Sequence, residues 1–207
     1  MTRRQVTWLL PAAIVLVAVV WVIDAGRMDE EQVRRGRIMK STDNVRTLMV
    51  ILTGSGVGLE KPWPGVKGKR FVLWLVATNK ISKTDVDQLQ LLFSPGDRVH
   101  SLARAGGPSA YANLTLAKLQ DPAFDVGALT SYAGPGDDVG TPVVEIARPT
   151  EDRPLLADLS FPVGVILGFA SGKARWVSAA ELGLPQDQPI VVGAASPVEM
   201  LRHLSSR

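Results

Sequence analysis

The pattern of apolar and polar positions changes period along this chain, and each change marks a different element. From Val6 to Ile23, "VTWLLPAAIVLVAVVWVI" contains no charged residue. At ~1.5 Å of rise per residue such a run makes a helix about 27 Å long, close to the ~30 Å of hydrocarbon that a spanning helix crosses. Trp8 and Trp21 lie near its two ends, where indoles favour the lipid interface, and Pro11 falls in its first third, where a membrane helix tolerates it. The run closes on Ile23, Asp24, Ala25 and Gly26 without a small-x-small cleavage pattern. It is longer than the usual signal core, so residues 6–23 are expected to remain as a transmembrane anchor in contact with lipid.

After Asp24 the period becomes that of an amphipathic helix. Val45, Leu48, Met49 and Leu52 recur at i, i+3, i+4 and i+7 while Asp43, Asn44 and Arg46 face away. Acids early in this stretch and basic residues after them suit the helix dipole, and "TGSGVG" is the stop. Anchor and amphipathic segment can therefore form one helix of roughly 45 residues, far beyond the ~11-residue mean, with Gly26 and Gly36 as points of bending. The expected organisation is a basic tail at 1–5, the span at 6–23, the amphipathic helix at 24–53 and a globular domain at 54–207.

Within that domain "RFVLWLVATNKI" predicts a helix, with Phe71, Trp74, Leu75 and Thr78 on one side. "LQLLFSPGD" predicts a short strand closed by a Pro-Gly turn. The stretch from Arg98 to Thr141, rich in Gly, Pro, Ala and Asp, predicts loops with short elements. "VVEIA" reads as a strand, and "VGVILGFASGKARWVS" as a hairpin with two apolar arms about Ser171 and Gly172. Ser178 with Glu181 makes a capping box for a short helix. Ser196, Pro197 and Glu199 repeat the device near the C-terminus.

Composition alters this picture in two ways. Hydrophobic residues make up 46% of the 207, so the ~180 residues beyond the span can bury a real core as one domain. The net charge is +3, but Arg3 and Arg4 precede the span, and the remaining 21 basic residues face 20 acids. A near-neutral domain lacks the concentrated basic face that phosphate backbones need, so nucleic acid is not an expected partner. Basic residues flank the span on both sides, since Arg27, Arg34, Arg35, Arg37 and Lys40 come after it. Asp24, Asp29, Glu30 and Glu31 dilute that second patch, and the short tail is expected inside with the long domain outside.

Candidate chemistry is sparse. The chain has no cysteine, which excludes disulfides, thiolate metal sites and a cysteine nucleophile. Asp97, His100 and Ser101 invite a hydrolytic reading, yet no strand, G-x-S-x-G elbow and helix presents a nucleophile, so His100 reads as a loop histidine and no catalytic residue is assigned. His203 lies in the short C-terminal helix. The glycines of "GSGVGLE" come after a helix and lack a Walker lysine, so they read as a helix stop and not as a phosphate loop. "YAGPGDDVG" is the one acid-rich loop, where Asp137 and Asp138, with Asp125 or Glu145 nearby, are candidate calcium ligands against the competing reading of a solvated turn. No cofactor is otherwise expected.

Taken in order, the leading helix, "FVLWLVATNKI", "LLFSPGD", "SYAGP", "PLLADLS" and "VGVILGFASGKARWVS" resemble the bacterial type IV pilin-like and type II secretion pseudopilin-like proteins. Phe93, Pro95 and Asp97 match an F-x-C-P-x-D segment of that family, Ser131 and Tyr132 its S-Y segment, and Gly172 with Trp176 its final A-D-G-x-V-x-F hairpin. Ser94 stands where the cysteine would, Ser171 where the hairpin aspartate would, and the span has neither the family's glutamate nor its prepilin cleavage motif. The resemblance implies an α+β fold, a long helix packed on an antiparallel sheet. It also implies a non-enzymatic, single-pass protein of the bacterial inner membrane with its domain in the periplasm, assembling with protein partners of a secretion or pilus-like system. An anchored ligand- or protein-binding module, using the Gly- and Pro-rich middle, is the second reading. An anchored hydrolase is the third.

Overall fold

The computed structural model describes residues 3–54, 66–136, 154–185 and 188–206, with residues 3–28 described as backbone only. It is an α+β structure. Helix α1 runs from Arg3 to Gly54 and is succeeded by α2 (Lys69–Ala77), α3 (Val86–Gln90), a 3-10 turn at Gly107–Ala110 and α4 (Leu116–Gln120). Strands β1 (Tyr132–Pro135), β2 (Pro154–Asp158), β3 (Gly164–Phe169), β4 (Ala174–Ser178) and β5 (Leu204–Ser205) form one sheet in the order β4-β3-β2-β1-β5. Every pairing in it is antiparallel.

The chain divides into two compact units, Met1–Arg37 and Ile38–Arg207. In the first, Glu31 pairs with Arg34 at 2.5 Å and Arg35 at 3.0 Å, the i+3 and i+4 spacings that support a helix. The expected span, Val6–Ile23, lies outside the residues whose side chains are described. Among the described residues no helix is long and apolar enough to cross a membrane.

In the second unit Val45, Leu48, Met49 and Leu52 are all buried, the stripe expected from their spacing. Removing one such side chain from water contributes ~1.5–3 kcal/mol. The stripe meets the sheet at β3, where successive residues point to opposite faces. Ile166 belongs to the core cluster that includes the α1 stripe and α2. Val165, Leu167 and Phe169 belong to a second cluster on the other face, covered by the C-terminal stretch through Leu201 and Leu204. Gly168 is the point of closest approach, since a Cβ there would stand 2.7 Å from both Met49 Cγ and Val45 Cγ1. The sheet is thus covered on both faces.

Several expectations hold. Residues 69–77 form the expected helix, but its buried surface is wider than the expected side: Val72, Leu73 and Val76 are buried along with Phe71 and Leu75, whereas Trp74 and Thr78 are half-buried. Arg70 ties it to the end of α4 by donating to the carbonyls of Leu119 and Phe124, each at 2.7 Å. Gly164–Phe169 and Ala174–Ser178 form the expected hairpin, in register from Gly164↔Ser178 to Gly168↔Ala174. The expected strand at "LQLLFSPGD" is corrected to helix α3 and the turns after it. Asp85 caps that helix, its Oδ1 accepting from Asp87 N at 2.9 Å and Gln88 N at 3.1 Å. The cap fixes helical spacing, so that Leu89 and Leu92 reach the core together.

The two capping boxes also differ from expectation. Ser178 and Glu181 do bond reciprocally, but they open only a run of turns, ended by Gly183 at φ 70°. Near the C-terminus Ser196 Oγ accepts from Val198 N at 3.2 Å, and the chain then makes a three-residue 3-10 turn, Glu199–Leu201, without a box from Glu199. The strand expected at "VVEIA" lies outside the described residues.

If the stripe is the helix–sheet contact, Leu48→Asp places a carboxylate in apolar packing, which costs several kcal/mol. Arg46→Ala on the exposed side changes stability by about 0.5 kcal/mol or less. Urea midpoints of the full-length chain in mild detergent are expected to show a large loss for the first and almost none for the second. Equal midpoints would contradict the packed helix.

Candidate functional site

Two clusters of polar groups bear on function, one along the second half of α1 and one at the turn after Phe93. The first is a buried seam. Ser41 lies one turn before Val45 and is fully buried. Its hydroxyl donates a short hydrogen bond to Asp158 Oδ2 on β2 and lies 3.4 Å from Ser94 Oγ. Because a hydroxyl donates only once, Ser94 is the donor in that second contact, and a chain of hydroxyls ends on the Asp158 carboxylate. Asp158 Oδ1 accepts from Ser160 N at 2.9 Å. Asn44 donates to the Phe93 carbonyl at 3.3 Å. Tyr132, paired with Asp158 in the sheet, is sealed beside Asn44 and Ser41 with no hydrogen bond of good geometry from its hydroxyl. Burial, and then the charge of Asp158, push its phenol far above the ordinary value.

The second place surrounds the turn after Phe93. Asp97 Oδ1 accepts from Val99 N at 2.7 Å and His100 N at 2.9 Å, and Oδ2 lies 2.7 Å from His100 Nδ1. Burial raises the Asp97 pKa, but the His100 and Val99 amides, the Ser131 hydroxyl beside it and the His100 ring together hold it below its ordinary value. Lys69, at the start of α2, donates to Gly127 O at 2.7 Å. Burial lowers its pKa, opposed by the charges of Asp97 and Asp125. Gly96 passes beneath Phe161, whose nearest ring carbon lies 2.6 Å from where a Cβ would be, and Phe161 meets Trp176 edge-on at 5.5 Å. The turn is fixed from both sides.

The order of groups in this second cluster decides its chemistry. Nucleophile activation needs imidazole between hydroxyl and carboxylate. Among the described residues no hydroxyl is hydrogen-bonded to the His100 ring, whose Nδ1 faces Asp97 Oδ2, and Ser131 Oγ has no hydrogen-bond partner. Ser101, the hydroxyl that sequence adjacency offers, accepts from Arg104 N at 3.3 Å. The pair Asp97 and His100 is therefore a turn lock. No family model matches the chain, and comparison with curated proteins and with solved structures finds no match.

The candidate calcium ligands Asp137 and Asp138, and Glu145, lie outside the described residues. Asp125 is described, and its Oδ1 accepts from Gly127 N at 2.8 Å as a local turn. Among the described residues no group of three or more His, Asp or Glu side chains is placed to hold a metal ion. Sequence patterning does not reveal the buried seam. Its one signal is Ser41, which extends the stripe of Val45, Met49 and Leu52 backwards by one turn.

Because the Asp97 pKa is lowered on folding, the stability it contributes is fully present above its unfolded value near 3.8 and is lost as pH falls through the lower folded value. Asp97→Asn is expected to be less stable than the wild type at neutral pH, with the gap closing in acid below about pH 4. Thermal unfolding from pH 7 down to 2.5 measures it, and a gap independent of pH would contradict the assignment.

Proposed function

We infer that the protein is a membrane-anchored, pseudopilin-like structural or assembly component of a bacterial envelope or secretion system, its domain on the periplasmic side. One observation carries this reading. A single helix, Arg3–Gly54, contains the uncharged run Val6–Ile23 in its first half and, in its second, the stripe buried against an antiparallel sheet. The anchor needs lipid, and the stripe needs the sheet, so one element joins membrane to domain. The segments "LLFSPGD", "SYAGP" and the β3–β4 hairpin support the same reading by their order. The turn lock and the buried seam fit a scaffold, because their polar groups are directed into the protein.

With such an anchor the chain remains in the membrane fraction after alkaline carbonate extraction, with peptides covering Arg3 to Arg27 still attached. A soluble chain beginning near Ala25 or Gly26 would overturn the anchor. A photocrosslinker at the exposed Met39 or Val50 is expected to join other membrane-anchored subunits. Adducts confined to soluble ligands would favour the anchored binding module instead.

A further inference from the structure

We propose that the segment Arg34–Arg37 of α1 is a processing site, cut on the carboxyl side of Arg35 or Arg37 by an endopeptidase whose acidic specificity pocket accepts a guanidinium. The hydrolysis needs only water. The C–N bond after the arginine breaks, the arginine carbonyl carbon takes the hydroxyl, and the proton goes to the nitrogen of Gly36 or Ile38, which becomes a new amino terminus. From Asp29 to Lys40 the helix has no buried residue, and Arg34, Arg35, Gly36 and Arg37 are all exposed. Ser41 is the first buried side chain after them, followed by Val45, Leu48, Met49 and Leu52. A cut after Arg35 or Arg37 therefore leaves the compact unit Ile38–Arg207 whole.

A peptidase binds its substrate as an extended strand, so a helix must open before it is cut. Opening is easiest where few apolar contacts are lost, because tertiary packing supplies most of a helix's stability. Gly36 eases it further, since glycine favours the unfolded chain. The ion pairs of Glu31 with Arg34 and Arg35 hold this turn only weakly, being exposed pairs one turn apart. They end when the helix opens, which presents both guanidinium groups to the peptidase. Several other basic residues are guarded. Arg46 lies among the packed turns of the stripe, between Val45 and Leu48. At the bond from Arg98 to Val99 the carbonyl accepts from Arg104 at 2.6 Å and the amide donates to Asp97 at 2.7 Å. Lys61, Arg148 and Arg153 each precede a proline, whose ring replaces the N–H and crowds the bond against attack.

Cleavage does not depend on lipid, whereas release of the domain from a membrane rests on the anchored reading. The test treats the full chain in neutral maltoside micelles with limiting trypsin and identifies the first products by intact mass. A first cut after Arg35 or Arg37 is expected. Arg34→Gln, Arg35→Gln and Arg37→Gln together should slow the loss of full-length chain about tenfold or more. Gly36→Ala keeps every arginine, and nothing lies within 4 Å of its added carbon. It should slow the cut about two- to fivefold, because cleavage of a transiently opened segment follows the opening equilibrium. A first cut elsewhere, or an unchanged rate in either variant, would overturn the proposal. In phosphatidylcholine vesicles the same cut should release residues 36–207 or 38–207 into the supernatant. Uncut chain in the supernatant would overturn the anchor and leave the cut standing.

Discussion

The second half of α1 can lie against the sheet only because β3 presents no side chain at Gly168. Any Cβ there would collide with Val45 and Met49, so a single missing carbon sets the distance between helix and sheet. That distance then determines what else is buried. It brings Leu48 and Leu52 into the same apolar cluster as Ile166 and Leu156. It also carries Ser41, one turn back, to the Asp158 carboxylate.

The buried seam adds specificity to this contact at an energetic cost. A carboxylate without water requires hydrogen bonds on each oxygen, and Asp158 receives them from α1 and from its own strand's end. Slipping α1 by one turn would separate Ser41 from Asp158 Oδ2 while Oδ1 keeps its bond from Ser160, a penalty of ~1–3 kcal/mol for a buried group left unpaired. Apolar stripes tolerate such slips better than polar contacts do. The seam therefore fixes the register that Gly168 makes sterically available, and the turn at Ser94 to Asp97 is locked to it through Ser94.

Legibility in the sequence tracks the range of each interaction. The stripe Val45, Leu48, Met49 and Leu52 is readable because helical period is local, and the β3–β4 hairpin because two apolar arms flank a turn at Ser171 and Gly172. Helix α3 reads wrongly as a strand, although Asp85 with Gln88 three residues later is a cap signature; "LQLL" outweighs it. The seam is not readable, since Ser41 and Asp158 are 117 residues apart and a serine at the end of an apolar stripe looks like its boundary. Asp97 and His100 are visible as neighbours, but only their geometry distinguishes a turn lock from catalysis.

A double-mutant cycle at Gly168 and Met49 tests the contact between helix and sheet most directly. Gly168→Ala alone should destabilise the full chain by about 1–3 kcal/mol, as overpacking does, and Met49→Ala alone by about 2–5 kcal/mol, as a cavity does. Because removing the methionine relieves one of the two contacts that the new methyl makes, that with Val45 remaining, the double variant should be more stable than the sum of the two losses allows, with a coupling of about 0.5 kcal/mol or more. Strict additivity of the two unfolding free energies would contradict this, and would mean that α1 does not rest on β3 at Gly168.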